Sequence, residues 1–211
     1  MGTLKVDNLQ KRDGTALITD GAASTTLLSQ ASLRSAGVGM ILLKTTDVTS
    51  ATASVDFNSS LITDTYDKYI MSYQGVKPVN DTVYLRSRYS TDNGSTFETG
   101  TFSYGYQHSK LGGTATGGAG DTSSNYAENN WGAGNDANYP YNGTFHIDAL
   151  RDSSTYLSIR HEFIFRDSSN NQYVIQEGWT LSNAVTYNYI EFSFSSGNIA
   201  DGTFTLYGMV K

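Results

Sequence analysis

The stretch YLSIRHEFIF, residues 156 to 165, constrains this chain more than any other. Side chains alternate across a strand, so Leu157, Ile159, His161, Phe163 and Phe165 share one face and Tyr156, Ser158, Arg160, Glu162 and Ile164 the other. No helix puts five such residues on one side. The turn DSSNN then leads into QYVIQEGWT, a second strand of the same kind. In DTVYLRSRY, residues 81 to 89, Val83, Leu85 and Ser87 oppose Tyr84, Arg86 and Arg88. The following STDNGSTF holds Asn93-Gly94, a hairpin signal. Further strands are expected at 39–45, 51–57, 67–76, 187–195, with Ile190, Phe192 and Phe194 inward, and 202–210, with Phe204, Leu206 and Val210 inward and Tyr207 and Met209 opposite. Eight or more short strands at this spacing predict an all-β fold, a jelly-roll-like β-sandwich, over residues 37–211.

Residues 1–36 differ from the rest. They contain no aromatic residue, whereas all the Phe, Trp and Tyr follow. Turn signals stand at Asp13-Gly14 and Asp20-Gly21, and TTLLSQASLR, residues 25 to 34, is the one helix candidate. Such a segment buries too little to order itself and is expected to be extended and held by its neighbours.

The totals exclude several functions. A net charge of -6 is spread thinly, so no phosphate-neutralising patch for nucleic acid is visible. Without cysteine there is no disulfide framework, thiolate nucleophile or Cys-based zinc site. The longest apolar run, VGMILL at 38–43, is too short for a signal h-region or a membrane span. The chain is therefore expected to fold in a cytoplasm, without membrane insertion.

Residues 109–143 break the period and are expected to form one long loop. They hold eight of the 21 glycines and no Val, Ile, Met or Phe. Tyr126, Trp131, Tyr139 and Tyr141 lie there among polar residues that include Asn130 and Asp136. Flat rings beside amides and carboxylates suit a sugar's apolar face and hydroxyls, so these six are the candidate receptor-binding residues. The alternative is that Trp131 and the YPY stretch anchor the loop on its own domain or a neighbouring subunit.

Other chemistry is sparse. His146 and Asp148 share a strand face but show no third ligand, and His161 reads as a hydrogen-bonded core residue. DNG and NDAN are turn sequences without EF-hand spacing. Neither metal nor cofactor is expected. A glycan hydrolase needs two carboxylates about 5–10 Å apart in a cleft, and nothing in the spacing of Glu128, Asp136, Glu162 and Glu177 selects a pair. No nucleophile elbow, P-loop or dinucleotide fingerprint occurs, so the reading is non-enzymatic.

Three stretches carry a family resemblance: TLKVDNLQKRDGT at the start, TDTYDKYIMSYQGVKPVNDTVYLRSRYSTDNGSTF in the middle, and YIEFSFSSGNIADGTFTLYGMVK at the end. Together they are similar to tailed-bacteriophage virion proteins of the tail fibre or virion structural type. The resemblance covers residues 1–14 and most of 40–108 and 150–211. It implies a β-rich domain behind an N-terminal segment, 1–36, that attaches to other virion proteins, commonly in a homotrimer. The implied location is the virion, with host attachment through a surface receptor or glycan. A capsid decoration protein without receptor binding, or a glycan-cleaving enzyme, are the alternatives.

Overall fold

A computed structural model describes residues 9–10, 16–19, 22–23, 39–113, 116–123, 125–128 and 131–210. The chain forms two compact units that divide after Ile41. The first contains β1 (Leu9–Gln10), β2 (Ala16–Thr19) and β3 (Ala22–Ala23), joined antiparallel in the order β1-β2-β3. Both Asp-Gly pairs and the helix candidate at 25–34 lie outside the described residues.

The larger unit is an antiparallel β-sandwich, the class the alternation predicts. One sheet has four strands in the order β10-β7-β14-β5: β5 (Ser54–Phe57), β7 (Leu85–Ser90), β10 (Ala127–Glu128) and β14 (Tyr189–Phe194). The other has eight in the order β4-β15-β6-β11-β12-β13-β8-β9. Its members are β4 (Met40–Val48), β6 (Tyr66–Pro78), β8 (Thr101–Lys110), β9 (Thr116–Ser123), β11 (Tyr141–Asp148), β12 (Leu157–Arg166), β13 (Gln172–Leu181) and β15 (Ile199–Val210). The chain passes from one sheet to the other at most connections, so neighbours in space are seldom neighbours in sequence.

Strand β12 alternates as its sequence demands: Leu157, Ile159, His161, Phe163 and Phe165 are buried, and Ser158, Arg160, Glu162 and Ile164 are exposed. Its hairpin to β13 turns on Asp167, whose carboxylate accepts the backbone N–H groups of Ser169 at 2.9 Å and Asn171 at 2.8 Å. Asn170 takes the left-handed conformation there, φ 64°. Inside the sandwich the aromatics stack in a ladder. Tyr141 lies 4.7 Å from Phe165 with rings 5° apart, and Phe165 lies 5.2 Å from Tyr173. Each such ring removes a large apolar area from water, the main stabilising term.

Two expectations change. Asn93 and Gly94 do adopt positive φ, 60° and 90°, but they do not close a hairpin, because β7 and β8 belong to different sheets. Polar side chains shape this crossing instead. Ser90 Oγ accepts from the N–H groups of Asp92 and Gly94, and Asp92 accepts from Thr96 N–H at 2.8 Å. The Thr96 N–H and the Ser90 and Thr96 hydroxyls, all donating to the Asp92 carboxylate, hold it down to about 2.

The second change concerns 109–143, which is not one loop. It contains the end of β8, all of β9 and β10, and the start of β11. β9 pairs with β8 so that Gly118 faces Tyr106 and Gly120 faces Tyr104. A Cβ at Gly118 would sit 2.8 Å from the Tyr106 hydroxyl, and one at Gly120 3.0 Å from that of Tyr104. The glycines make room for the two phenols to lie across the neighbouring strand, an arrangement that shields an otherwise weak glycine strand.

Gly143 is a tighter case. A Cβ there would meet the Glu162 carbonyl oxygen at 2.5 Å and Phe163 Cβ at 2.7 Å. Gly143→Ala is expected to destabilise the sandwich by about 1–3 kcal/mol, the usual cost of overpacking, measured by urea denaturation.

Candidate functional site

The loop aromatics serve different tasks. Tyr141 is fully buried, and its hydroxyl donates to the Trp131 carbonyl at 2.6 Å. It begins β11 and belongs to the core ladder, which removes it from any receptor surface. Trp131 is half-buried against His108 at 4.0 Å, Tyr173 at 5.5 Å and Tyr106 at 5.9 Å. Its Nε1 is buried without an acceptor among the described residues. Tyr126 lies 3.9 Å from the Arg86 guanidinium, which is ion-paired with Glu128. Tyr139 is half-buried beside Gly134, where a Cβ would lie 3.1 Å from its ring. Asp136 is exposed and accepts the Asn138 N–H at 2.9 Å as a turn residue. Asn130 lies outside the described residues. Trp131 and Tyr141 thus pack on residues of their own domain, as the alternative reading of these residues has it.

The carboxylates considered for hydrolysis are likewise dispersed. Glu128 is held by Arg86, Glu162 faces Arg160 at 3.7 Å, Glu177 bonds His161, and Asp136 shapes a turn. His146 and Asp148 do share a face, but Asp148 is bridged to Lys68 at 2.8 Å. Among the described residues no three His, Asp or Glu side chains are grouped to hold a metal.

One charged array was not legible in the sequence. On the outer face of the four-stranded sheet, Arg88 Nε donates to Glu191 at 2.8 Å and its guanidinium lies 3.9 Å from the Phe97 ring. Glu191 in turn stands opposite Asp56 across β14 and β5. Arg86 and Arg88, two apart on β7, are each clamped between a ring and a carboxylate. Their partners come from three other segments of the chain, so only the i, i+2 arginine spacing hinted at the array. With both guanidinium groups committed, this face is built for cohesion.

His161 is the core histidine expected, and the structure adds its partners. Tyr73 Oη lies 2.7 Å from Nε2 and Glu177 Oε1 2.9 Å from Nδ1. The imidazole is sandwiched between Phe145 at 3.7 Å and Phe163 at 4.2 Å. Burial holds the imidazole well below its ordinary value and pushes the Glu177 carboxyl well above its own. Both shifts favour the uncharged forms of the pair, and the imidazole turns Nδ1 to Glu177 and Nε2 to Tyr73.

The outward face of the eight-stranded sheet is different in kind. A hollow of about 450 Å³ crosses β15, β6 and β11, lined by Ser72, Gln74, Asn142, Thr144, Thr205 and Tyr207. Among the described residues, the side chains of Ser72, Gln74, Thr144 and Tyr207 have no hydrogen-bond partner. Their donors and acceptors are therefore available to a ligand. The hollow's size is that of a ligand site. Sequence reading did not single these residues out: Asn142 fell in the stretch expected as a loop, and their convergence depends on β6 lying between β15 and β11. No family model matches this chain, and comparison with curated proteins and with solved structures found no match.

Trp131→Ala is expected to cost about 2 kcal/mol, below a full core truncation because the ring is half-buried, read as a lower melting temperature. The neutral pair sets a pH profile. His161, with its folded pKa depressed, contributes stability above its ordinary 6.5 that is lost as pH falls below it. Glu177, with its folded pKa raised, contributes stability below its ordinary 4.5 that is lost as pH rises above it. Between those two values the slopes oppose, and above 6.5 only the Glu177 loss remains, at up to about 1.4 kcal/mol per pH unit. Glu177→Gln is expected to flatten that alkaline loss in urea titrations at successive pH values.

Proposed function

We propose that this chain is a non-enzymatic virion structural protein of a tailed bacteriophage, a tail fibre or similar appendage. Residues 1–36 attach it to other virion proteins, and the sandwich turns the outer face of its eight-stranded sheet toward a host-surface glycan. The resemblance of three long stretches supports the virion setting. The observation that carries the recognition reading is the hollow around Tyr207, where unpaired hydroxyl and amide groups converge on a sheet face. The scattered carboxylates, each with its own partner or turn, support a role without catalysis.

Self-association into a homotrimer belongs to the same proposal. On the edge strand β4, Met40 and Leu42 stand two residues apart on one face and are exposed at 50% and 52%. Exposed apolar groups on a sheet edge and face favour burial against another copy.

Labelled antibody imaging of the virion tests the location. Label at the tail in few copies is expected; label over the head in many copies establishes the decoration reading instead, and absence from particles overturns both. Light scattering of the purified chain is expected to give three times the 22.9 kDa chain mass. A stable monomer at micromolar concentration overturns the trimer.

A further inference from the structure

Across the middle of the same outward face, the side chains stop. Gly105 of β8 and Gly178 of β13 are directly paired, with Arg160 beyond Gly178 and Ala119 beyond Gly105. The adjacent rows are Gln107 paired with Gln176 on one side and Ser103 paired with Thr180 on the other. The result is a groove across the strands with a bare floor and amide and hydroxyl walls. Two hollows of about 460 and 360 Å³ share Gln107 and Gln176 along it.

The fold does not require either glycine. A Cβ at Gly105 would meet nothing nearer than 3.9 Å, and one at Gly178 nothing nearer than the Ile159 carbonyl oxygen at 3.4 Å. These are ordinary contacts, and neither residue has positive φ. Gly118 and Gly143, by contrast, are pressed by their neighbours. Glycine weakens a strand interior, and where packing does not demand it, it marks close approach of something from outside.

The walls indicate what approaches. Gln107 and Gln176 are exposed, and their amides make no hydrogen bond among the described residues. Arg160, 61% exposed, meets Glu162 only at 3.7 Å, which leaves guanidinium donors available at the end of the groove. A flat, apolar floor with paired amides beside it and one cation at its end fits a sugar ring lying flat, its hydroxyls on the amides and a carboxylate against the guanidinium. A peptide strand would need an open sheet edge, and here the backbone groups are already used in the ladder. A nucleic acid would need more positive charge than one arginine on a chain of net charge -6.

We propose that the Gly105–Gly178 groove is a binding site for an acidic oligosaccharide, with Gln107 and Gln176 gripping ring hydroxyls and Arg160 the carboxylate. This rests on the recognition reading above and names its ligand class. The test uses the full chain on an array of uronic- and sialic-acid oligosaccharides, with maltotriose as neutral control. Retention of at least one acidic oligosaccharide is expected. Gly178→Val and Gly105→Val should each reduce it tenfold or more while leaving the melting temperature unchanged or higher, since valine favours a strand. Arg160→Gln should reduce acidic binding about tenfold. No retention of any acidic oligosaccharide, or retention that survives both valine variants, overturns the site. Retention of maltotriose on a par with the acidic probes, unaffected by Arg160→Gln, overturns the carboxylate assignment. Virion imaging is independent of these readouts, so failure of the groove and failure of the virion proposal are separable.

Discussion

The hydrogen-bonded row through His161 fixes how the large sheet is assembled. Phe145, His161, Glu177 and Tyr106 stand opposite one another in turn across β11, β12, β13 and β8. His161 bonds Glu177 within this row through Nδ1 and Tyr73 of β6, outside it, through Nε2, and aromatic faces cover it above and below. A slip of one residue would turn the row to solvent and bring Arg160 and Glu162 into the core. It would also separate Glu177 from its partner, and an unpaired buried acid is costly. A purely apolar row would tolerate alternative pairings better. The polar row thus specifies register, and the positions of all outward residues follow from it.

That dependence reaches the proposed recognition surface. Gln107 and Gln176 face each other only because Tyr106 and Glu177, one step along, do. The same holds for Gly105 and Gly178 on the other side. The small sheet contributes differently: its outer charges are sealed by Arg86 and Arg88 under aromatic rings, whereas the large sheet leaves hydroxyls and amides unpaired. One face holds the molecule together and the other remains open to a ligand.

Much of this was readable from residue order. The alternation in β12 named every inward side chain of that strand, and the polar turn at Asp167 was visible as punctuation. His161 was recognisable as a core histidine because it sat among Leu, Ile and Phe at even spacing. Strand β9 was hidden because its glycines carry no pattern; their strand character comes from Tyr104 and Tyr106 lying over them. The Asn93-Gly94 pair had the right dihedrals for a hairpin, but tertiary packing sent the next strand to the other sheet. Tyr141 and Trp131 read as exposed aromatics among polar neighbours because the residues that cover them, Phe165, His108 and Tyr173, are distant in sequence. Glu191 and Asp56 are a similar case, meeting only when β14 is laid between β5 and β7.

The order of the large sheet also governs when it can close. β15 follows every other strand in the chain, yet it lies between β4 and β6, which precede almost all the rest. Until β15 is synthesised, β4 has no neighbour in the sheet and the flank of β6 is an open template. Pairing across such sequence separations is slow, because loop closure must precede the contacts that reward it. A nascent chain therefore presents unsatisfied edges throughout translation, and neighbouring chains on one polysome compete for them. Crowded synthesis would favour exchange of β15 between chains, so the route to the native sheet depends on how densely ribosomes load the message.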